Sequence, residues 1–124
     1  MQINSTTIRL TFLGGALGTL ARFGFFVTFG DLPSVIFVNI IGSALLGLFS
    51  GNKKYDTDTH NAFWKTGFAG GFTTMSGFAS LIVLYAQGIG PVTFALTLVI
   101  TGVGLGAYWL AFVASRAASR KGDA

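Results

Sequence analysis

A chain of 124 residues has room for one domain, 1–124, and with 52% hydrophobic against 10% charged residues it does not have the composition of a soluble one. The absence of cysteine excludes a disulfide framework and a thiolate metal site. A formal net charge of +4 would suit nucleic acid in a soluble domain, but the basic residues sit at the ends of apolar runs, where they read as topology signals; the implied partner is a lipid bilayer, not nucleic acid.

The first apolar run, about 8–29, is roughly 30 Å long as a helix and covers the hydrocarbon. Arg9 ahead of it looks like the start of a signal peptide, yet the run continues through Phe29 without an Ala-x-Ala cleavage site, which reads as a retained span. Gly14 and Gly18 form a small-xxx-small pair suited to close approach of another backbone. Gly30-Asp31-Leu32-Pro33 ends this helix with Gly and restarts the next with an early Pro, making the first two helices antiparallel neighbours. The second run, about 34–49, carries Asn39 and a narrow face of Gly42, Ser43 and Gly47. In the polar loop that follows, His60 has no second ligand nearby and reads as a solvated histidine rather than a metal ligand.

The third run, about 62–86, is longer than a straight helix needs and contains Gly70-Gly71-Phe72-Thr73-Thr74-Met75-Ser76-Gly77-Phe78. Paired glycines and hydroxyls predict a helix broken near its middle. In lipid an unpaired carbonyl costs several kcal/mol, so such a break must be satisfied by protein, water or an ion. Gln87-Gly88-Ile89-Gly90-Pro91 reads as a tight connection to a fourth run, about 92–114, followed by a basic tail. The expected fold is all-α, a polytopic membrane protein with four transmembrane helices. With four spans, Arg9, Lys53, Lys54, Lys65, Arg116, Arg120 and Lys121 share one side while the short turns opposite have no Lys or Arg, so the positive-inside rule predicts two cytoplasmic termini.

No carboxylate falls in a span: Asp31, Asp56, Asp58 and Asp123 lie in connections or the tail. This disfavours a proton-coupled small-molecule transporter, which needs one in the bilayer. The charge inside a span is Arg22, about 10 Å below the outer boundary, which either lines an aqueous vestibule or snorkels outward. The remaining polar groups, Asn39, Thr66, Thr73, Thr74, Ser76 and Thr101, offer hydrogen-bond donors; donors plus one cation suit an anion, and no residue reads as catalytic. Of the 13 Phe most read as lipid-facing or packing residues, but a ring edge is the positive part of the quadrupole, and Phe78 in the polar break is the candidate to present one.

These residues resemble the Fluc (CrcB) fluoride channels over essentially the full chain. The likeness rests on Gly14-Gly15-Ala16-Leu17-Gly18 followed by Arg22, on Val38-Asn39 leading to Gly42 and Gly47, and on the Gly70–Phe78 stretch, a variant of the family's Gly-Gly-x-Thr-Thr-Phe-Ser-Thr-Phe signature. The resemblance implies an antiparallel dimer with two narrow pores that exports fluoride passively across the cytoplasmic membrane. It implies a structural sodium ion on the dimer axis held by the carbonyls of Gly70 and Thr73, a fluoride path along Asn39, Met75, Phe78 and Thr101, and Arg22 by the vestibule. Met75 stands where the family has its first phenylalanine, Gly77 where it has threonine, and Leu105 and Trp109 where further hydroxyls would extend the track begun by Thr101. One-sided charge implies insertion one way only, hence pairing with a related subunit of opposite bias rather than a homodimer. The alternative is an accessory subunit that does not conduct.

Overall fold

The structure, a computed structural model, describes residues 2–122; Asp123 and the side chain of Lys121 lie outside the described residues. Helix α1 spans Ser5–Phe29. It begins before the apolar run does because Asn4 and Thr7 form a capping box, each side chain accepting the other's backbone N–H at 2.9 Å. Helix α2 spans Asp31–Gly51, so Gly30 alone joins the two. Its φ of 77° is the one positive φ among the described residues and lets the chain reverse in a single step, with its N–H closing onto the Phe26 carbonyl at 3.0 Å. Pro33 falls in the first turn of α2, where a missing N–H costs nothing, and Ser34 Oγ ties the turn down by donating to the Phe25 carbonyl at 2.8 Å.

After a 3₁₀ turn at Lys53–Tyr55, one turn of α3 (Asp58–His60) runs into a π-helix at Asn61–Ala69 and then into α4 (Gly70–Phe72). Thr73 and Thr74 are not helical, and α5 begins at Met75. The third crossing is therefore broken near its middle, as the glycine and hydroxyl pattern predicts. Asn39 of α2 fills the break: its Oδ1 accepts the Thr74 N–H at 2.9 Å and its Nδ2 donates to the Thr74 carbonyl at 3.2 Å. Thr74 then caps the next helix, its Oγ1 accepting the Gly77 N–H at 3.1 Å. The π-helical lead-in is not foreseen by the sequence pattern.

Helix α5 is assigned continuously over Met75–Gly122, with Pro91 inside it. It is not straight. Phe78 and Ile100, which would stand about 33 Å apart in a straight helix, line one small cavity together with Leu32 and Ile36 of α2. The chain therefore doubles back between Ile82 and Thr93, through the stretch holding Gly88, Gly90 and Pro91, while helical backbone persists through the bend. Gln2 N–H donates to Asp58 at 3.0 Å and Ser115 Oγ to the Leu48 carbonyl at 2.7 Å, which puts the start of α1, the polar loop and the end of α5 at one end of the bundle. Three helices, Ser5–Phe29, Asp31–Gly51 and Gly90–Arg120, are long and apolar enough to cross a membrane. The remaining crossing is assembled from two pieces.

Lipid supplies no hydrophobic drive between helices, so they associate through small residues that let backbones touch. A Cβ on Gly14 or Gly18 would run into the Phe63 or Phe68 carbonyl of the π-helix, and one on Gly47 or Gly51 into the Tyr108 or Phe112 carbonyl of α5. Beside these seams runs a ladder of rings through Phe37, Phe29, Phe25, Phe72, Phe68, Trp64, Phe49, His60 and Tyr55, with successive centroids 4.9–6.5 Å apart. His60 is thus the rung between Phe49 and Tyr55, stacked on Tyr55 at 4.9 Å, rather than a freely solvated side chain.

Two consequences are measurable. Gly18→Leu is expected to abolish recovery of a monodisperse protein in detergent by size-exclusion chromatography, whereas Gly24→Leu, with nothing within 4 Å of its Cβ position, elutes as wild type. Asn39→Ala strands the Thr74 N–H and carbonyl, 9% exposed, at a cost of about 1–3 kcal/mol for each unpaired group; a lowered thermal midpoint is expected, and an unchanged one would show that the break closes without Asn39.

Candidate functional site

Unwinding at Thr73–Thr74 turns the residues on either side toward a groove between α2, the π-helix and the two arms of α5. The groove holds about 430 Å³ and is lined by Asn39 and Ser43, by Lys65 and Ala69, by Gly70 and Thr73, and by Met75, Phe78, Thr101 and Leu105. The sequence candidates Asn39, Gly70, Thr73, Met75, Phe78 and Thr101 are thus brought to one place. Arg22 is not among them. It lines a second cavity of about 540 Å³ with Thr19, Thr74, Ser76 and Ser80, a wall of hydroxyls around one guanidinium.

The broken peptide separates the two cavities and is gripped from both sides. Arg22 donates from a guanidinium nitrogen to the Thr73 carbonyl at 3.1 Å, and Asn39 holds Thr74 through both ends of its amide. The Asn39 amide is therefore largely committed to the backbone, with one Nδ2 hydrogen left for the groove. Phe78 is half-buried between the groove and the apolar cavity it shares with Leu32 and Ile36. Met75 is 79% exposed and Leu105 67%, and Thr101 is also exposed, so the groove is open on that side. Trp109, likewise exposed, extends that surface toward the loop end without a hydroxyl.

The oxygens at the break suit a hard alkali cation in kind. The Thr74 N–H, which would close onto the Gly70 carbonyl in an unbroken helix, goes to Asn39 instead, and a Cβ on Gly70 would meet nothing within 4 Å. The Gly70 oxygen is thereby released from its helical donor. The Thr73 oxygen already carries the Arg22 guanidinium, a cation supplied by the chain itself. Among the described residues there is no cluster of His, Cys, Asp or Glu that could hold a metal ion.

Lys65 is the residue that sequence reasoning placed elsewhere, among the loop charges. Its side chain, 20% exposed, lines the groove, and its Nζ lies 3.5 Å from Asp56 in the loop. The hydrogen bond from Asn61 and the Lys65 ammonium together hold the Asp56 carboxyl below its ordinary range, so it is ionised at neutral pH. The signal was present: Lys65 falls inside the third apolar run, directly before Thr66-Gly67.

A broken crossing clamped by an asparagine, with small-residue seams on either side, is a specific arrangement, and the wider likeness of the chain agrees with it. Residues 9–114 match the model of a family described as CrcB-like protein, Camphor Resistance (CrcB). The "Fluoride-specific ion channel FluC 2" of Bacillus subtilis (strain 168) is 40% identical over 82 residues, covering 62% of this chain and 63% of that relative. The "Fluoride-specific ion channel FluC" of Paracoccus denitrificans (strain Pd 1222) is 36% identical over 110 residues, 76% of this chain and 89% of the relative. A FluC 2 of Rhodococcus jostii (strain RHA1) is 36% identical over 115 residues, 86% of this chain and 96% of the relative. The chain spans under two thirds of the first of these relatives and most of the other two. No solved structure matches it. With its apolar helices and a family match that runs from the second turn of α1 into α5's second arm, this multi-pass membrane protein belongs to the CrcB family.

Proposed function

We propose that the chain is a subunit of a fluoride channel that gives passive fluoride export across the cytoplasmic membrane and so protects against fluoride toxicity. The observation that carries the reading is the groove: Asn39, Ser43 and Thr101 put amide and hydroxyl donors beside Phe78, with no carboxylate among its lining residues, while the Thr73 hydroxyl is spent on the Ala69 carbonyl at 2.8 Å. Such a wall favours a small anion and offers nothing to a proton-coupled exchanger. Fluoride, which hydrogen-bonds strongly, would move along Asn39, Met75, Phe78 and Thr101, with Phe78 turning a positive ring edge toward it. Arg22 and the hydroxyls of Thr19, Ser76 and Ser80 would form the aqueous vestibule.

The open side of the groove supports assembly with a second subunit in antiparallel orientation. The basic residues Arg9, Lys53, Lys54, Arg116 and Arg120 gather at the end that holds both termini and the loop, while Asp31 marks the other end, which supports insertion with both termini in the cytoplasm. A chain so biased pairs with a related subunit of opposite bias; a homodimer is the other outcome. Sodium on the dimer axis would be held by the Gly70 and Thr73 carbonyls and would supply a fixed positive charge beside the break. A second reading, a subunit that assembles without conducting, draws on Met75 and Leu105, which give this wall a thioether and an aliphatic side chain.

Fluoride efflux from liposomes decides between them: the chain with a co-expressed partner of opposite charge bias is expected to release fluoride, and the chain alone is not. Efflux from the chain alone, with tags on both faces of the membrane, would establish a homodimer, and silence under both conditions would sink the channel reading. In the conducting assembly Phe78→Ala is expected to slow efflux at least tenfold, in line with a loss of about 1.4 kcal/mol or more at the rate-limiting step; an unchanged rate would assign the ring-edge role to the partner.

A further inference from the structure

Arg22, the cation expected from the sequence, lies outside the groove, on the far side of the broken peptide. Among the residues lining the groove, the charged one is Lys65. Along α2 the groove extends from Asn39 to Leu46, about 10 Å, and α2 runs from the Gly30 turn toward the loop. Lys65 therefore sits at the loop end of the groove, with Thr73, Met75 and Phe78 deeper in. A lysine that served only as a topology signal would reach past the groove into the headgroups. Lys65 instead has four fifths of its side chain covered, and its ammonium is 3.5 Å from Asp56, itself 65% exposed at the loop. A pair of that length, with one partner in water, is weak and open to competition from another anion.

We propose that Lys65 is the anion-recruiting residue at the loop-side mouth of the groove, with Asp56 as the positioning residue that keeps its ammonium at that mouth. The proposal rests on the channel reading above. Its physics is that of a cleft lined by one sign of charge: low-dielectric walls focus the field of a single ammonium along the groove and raise the local concentration of small anions. The lining groups that can donate, Asn39, Ser43 and Thr101, are neutral, so they can coordinate an anion but cannot draw one from solution. Asp56 tempers the same field. Its carboxylate offsets the Lys65 ammonium itself, so an anion that enters is not held too tightly to leave.

The test compares wild type, Lys65→Met, Lys65→Arg and Asp56→Asn in the assembly that conducts, by initial fluoride efflux from liposomes with the loop side facing the fluoride reservoir. Lys65→Met is expected to lower the rate about tenfold at low ionic strength, and the deficit should shrink when an impermeant salt screens the mouth. Lys65→Arg should restore most of the rate and Asp56→Asn should raise it. Lys65→Met conducting like wild type, or Lys65→Arg as slow as Lys65→Met, would overturn the proposal. Should Lys65→Met fail to assemble, Asp56→Asn decides: a faster, more salt-sensitive rate supports the proposal, and an unchanged or slower one overturns it. A silent wild type overturns the channel reading itself, whereas a conducting wild type indifferent to residue 65 overturns only this assignment.

Discussion

The exchange of two hydrogen bonds between the Asn39 amide and the Thr74 backbone is the contact on which the rest of the molecule depends. A helix interrupted inside a bilayer exposes N–H and carbonyl groups to a medium that offers them nothing, each at a cost of several kcal/mol. A primary amide is the side chain that matches a peptide group on both its donor and its acceptor side, so one residue of α2 replaces what the third crossing gives up. Because the Thr74 N–H is taken by Asn39, the Gly70 carbonyl is freed; because the Thr74 hydroxyl caps Gly77, α5 restarts at a fixed angle and carries Met75 and Phe78 to the groove. Arg22 completes the clamp from the other side through the Thr73 carbonyl.

For a side chain on α2 to reach the backbone of the third crossing, the helices must lie close, and glycine is what permits it. Gly42 sits against the Thr73 side chain and Gly71 against the Gly15 carbonyl, on opposite flanks of the break. The π-helix below, with Trp64 and Phe68 as rungs of the aromatic ladder that continues to Phe72 of α4, presents its wide turns to α1, where Thr11 Oγ donates to the Ala62 carbonyl at 3.2 Å. The buried apolar set is correspondingly small: Val35, Val38, Ala62, Ala69 and Phe72. Stability here comes from backbone contact and ring stacking more than from a core, as expected where lipid already solvates the large aliphatic side chains.

The parts of this arrangement legible in the sequence are those where a local rule acts alone. Apolar length marked the helices, Gly30 and Pro33 the first reversal, and the Gly70–Thr74 composition the break. Asn39 could be singled out as a polar residue in an apolar run, but its partner could not, because the pairing joins residues far apart in the chain and depends on how α2 packs. The π-helix escaped notice since its residues also suit an α-helix; only the packing of Gly67 against Thr11 and Gly14 distinguishes the two. The stretch from Gln87 to Pro91 reads as a tight connection between two helices; the chain does double back between Ile82 and Thr93, but helical hydrogen bonding persists through the bend. Lys65 was misplaced for a related reason: a lysine near the end of an apolar run is ambiguous between headgroup and groove, and the Asp56 partner that resolves it comes from the loop.

The two cavities differ in a way that bears on how an anion could cross. On the Arg22 side the cation donates to the Thr73 carbonyl and shares its cavity with Phe23, Phe26 and several hydroxyl residues, so it is engaged in holding the break. On the Lys65 side the cation is held only by a loop carboxylate and leaves the break alone. A channel needs each mouth attractive enough to admit an ion and weak enough to release it. The chain holds its two cations by unlike devices, a guanidinium that donates to a backbone carbonyl and an ammonium paired with an aspartate. Between them lie Phe78 and a single remaining hydrogen of the Asn39 amide, groups that can contact an anion without binding it as a fixed counter-charge would. The exposed Met75 and Leu105 leave this wall without donors at those two positions.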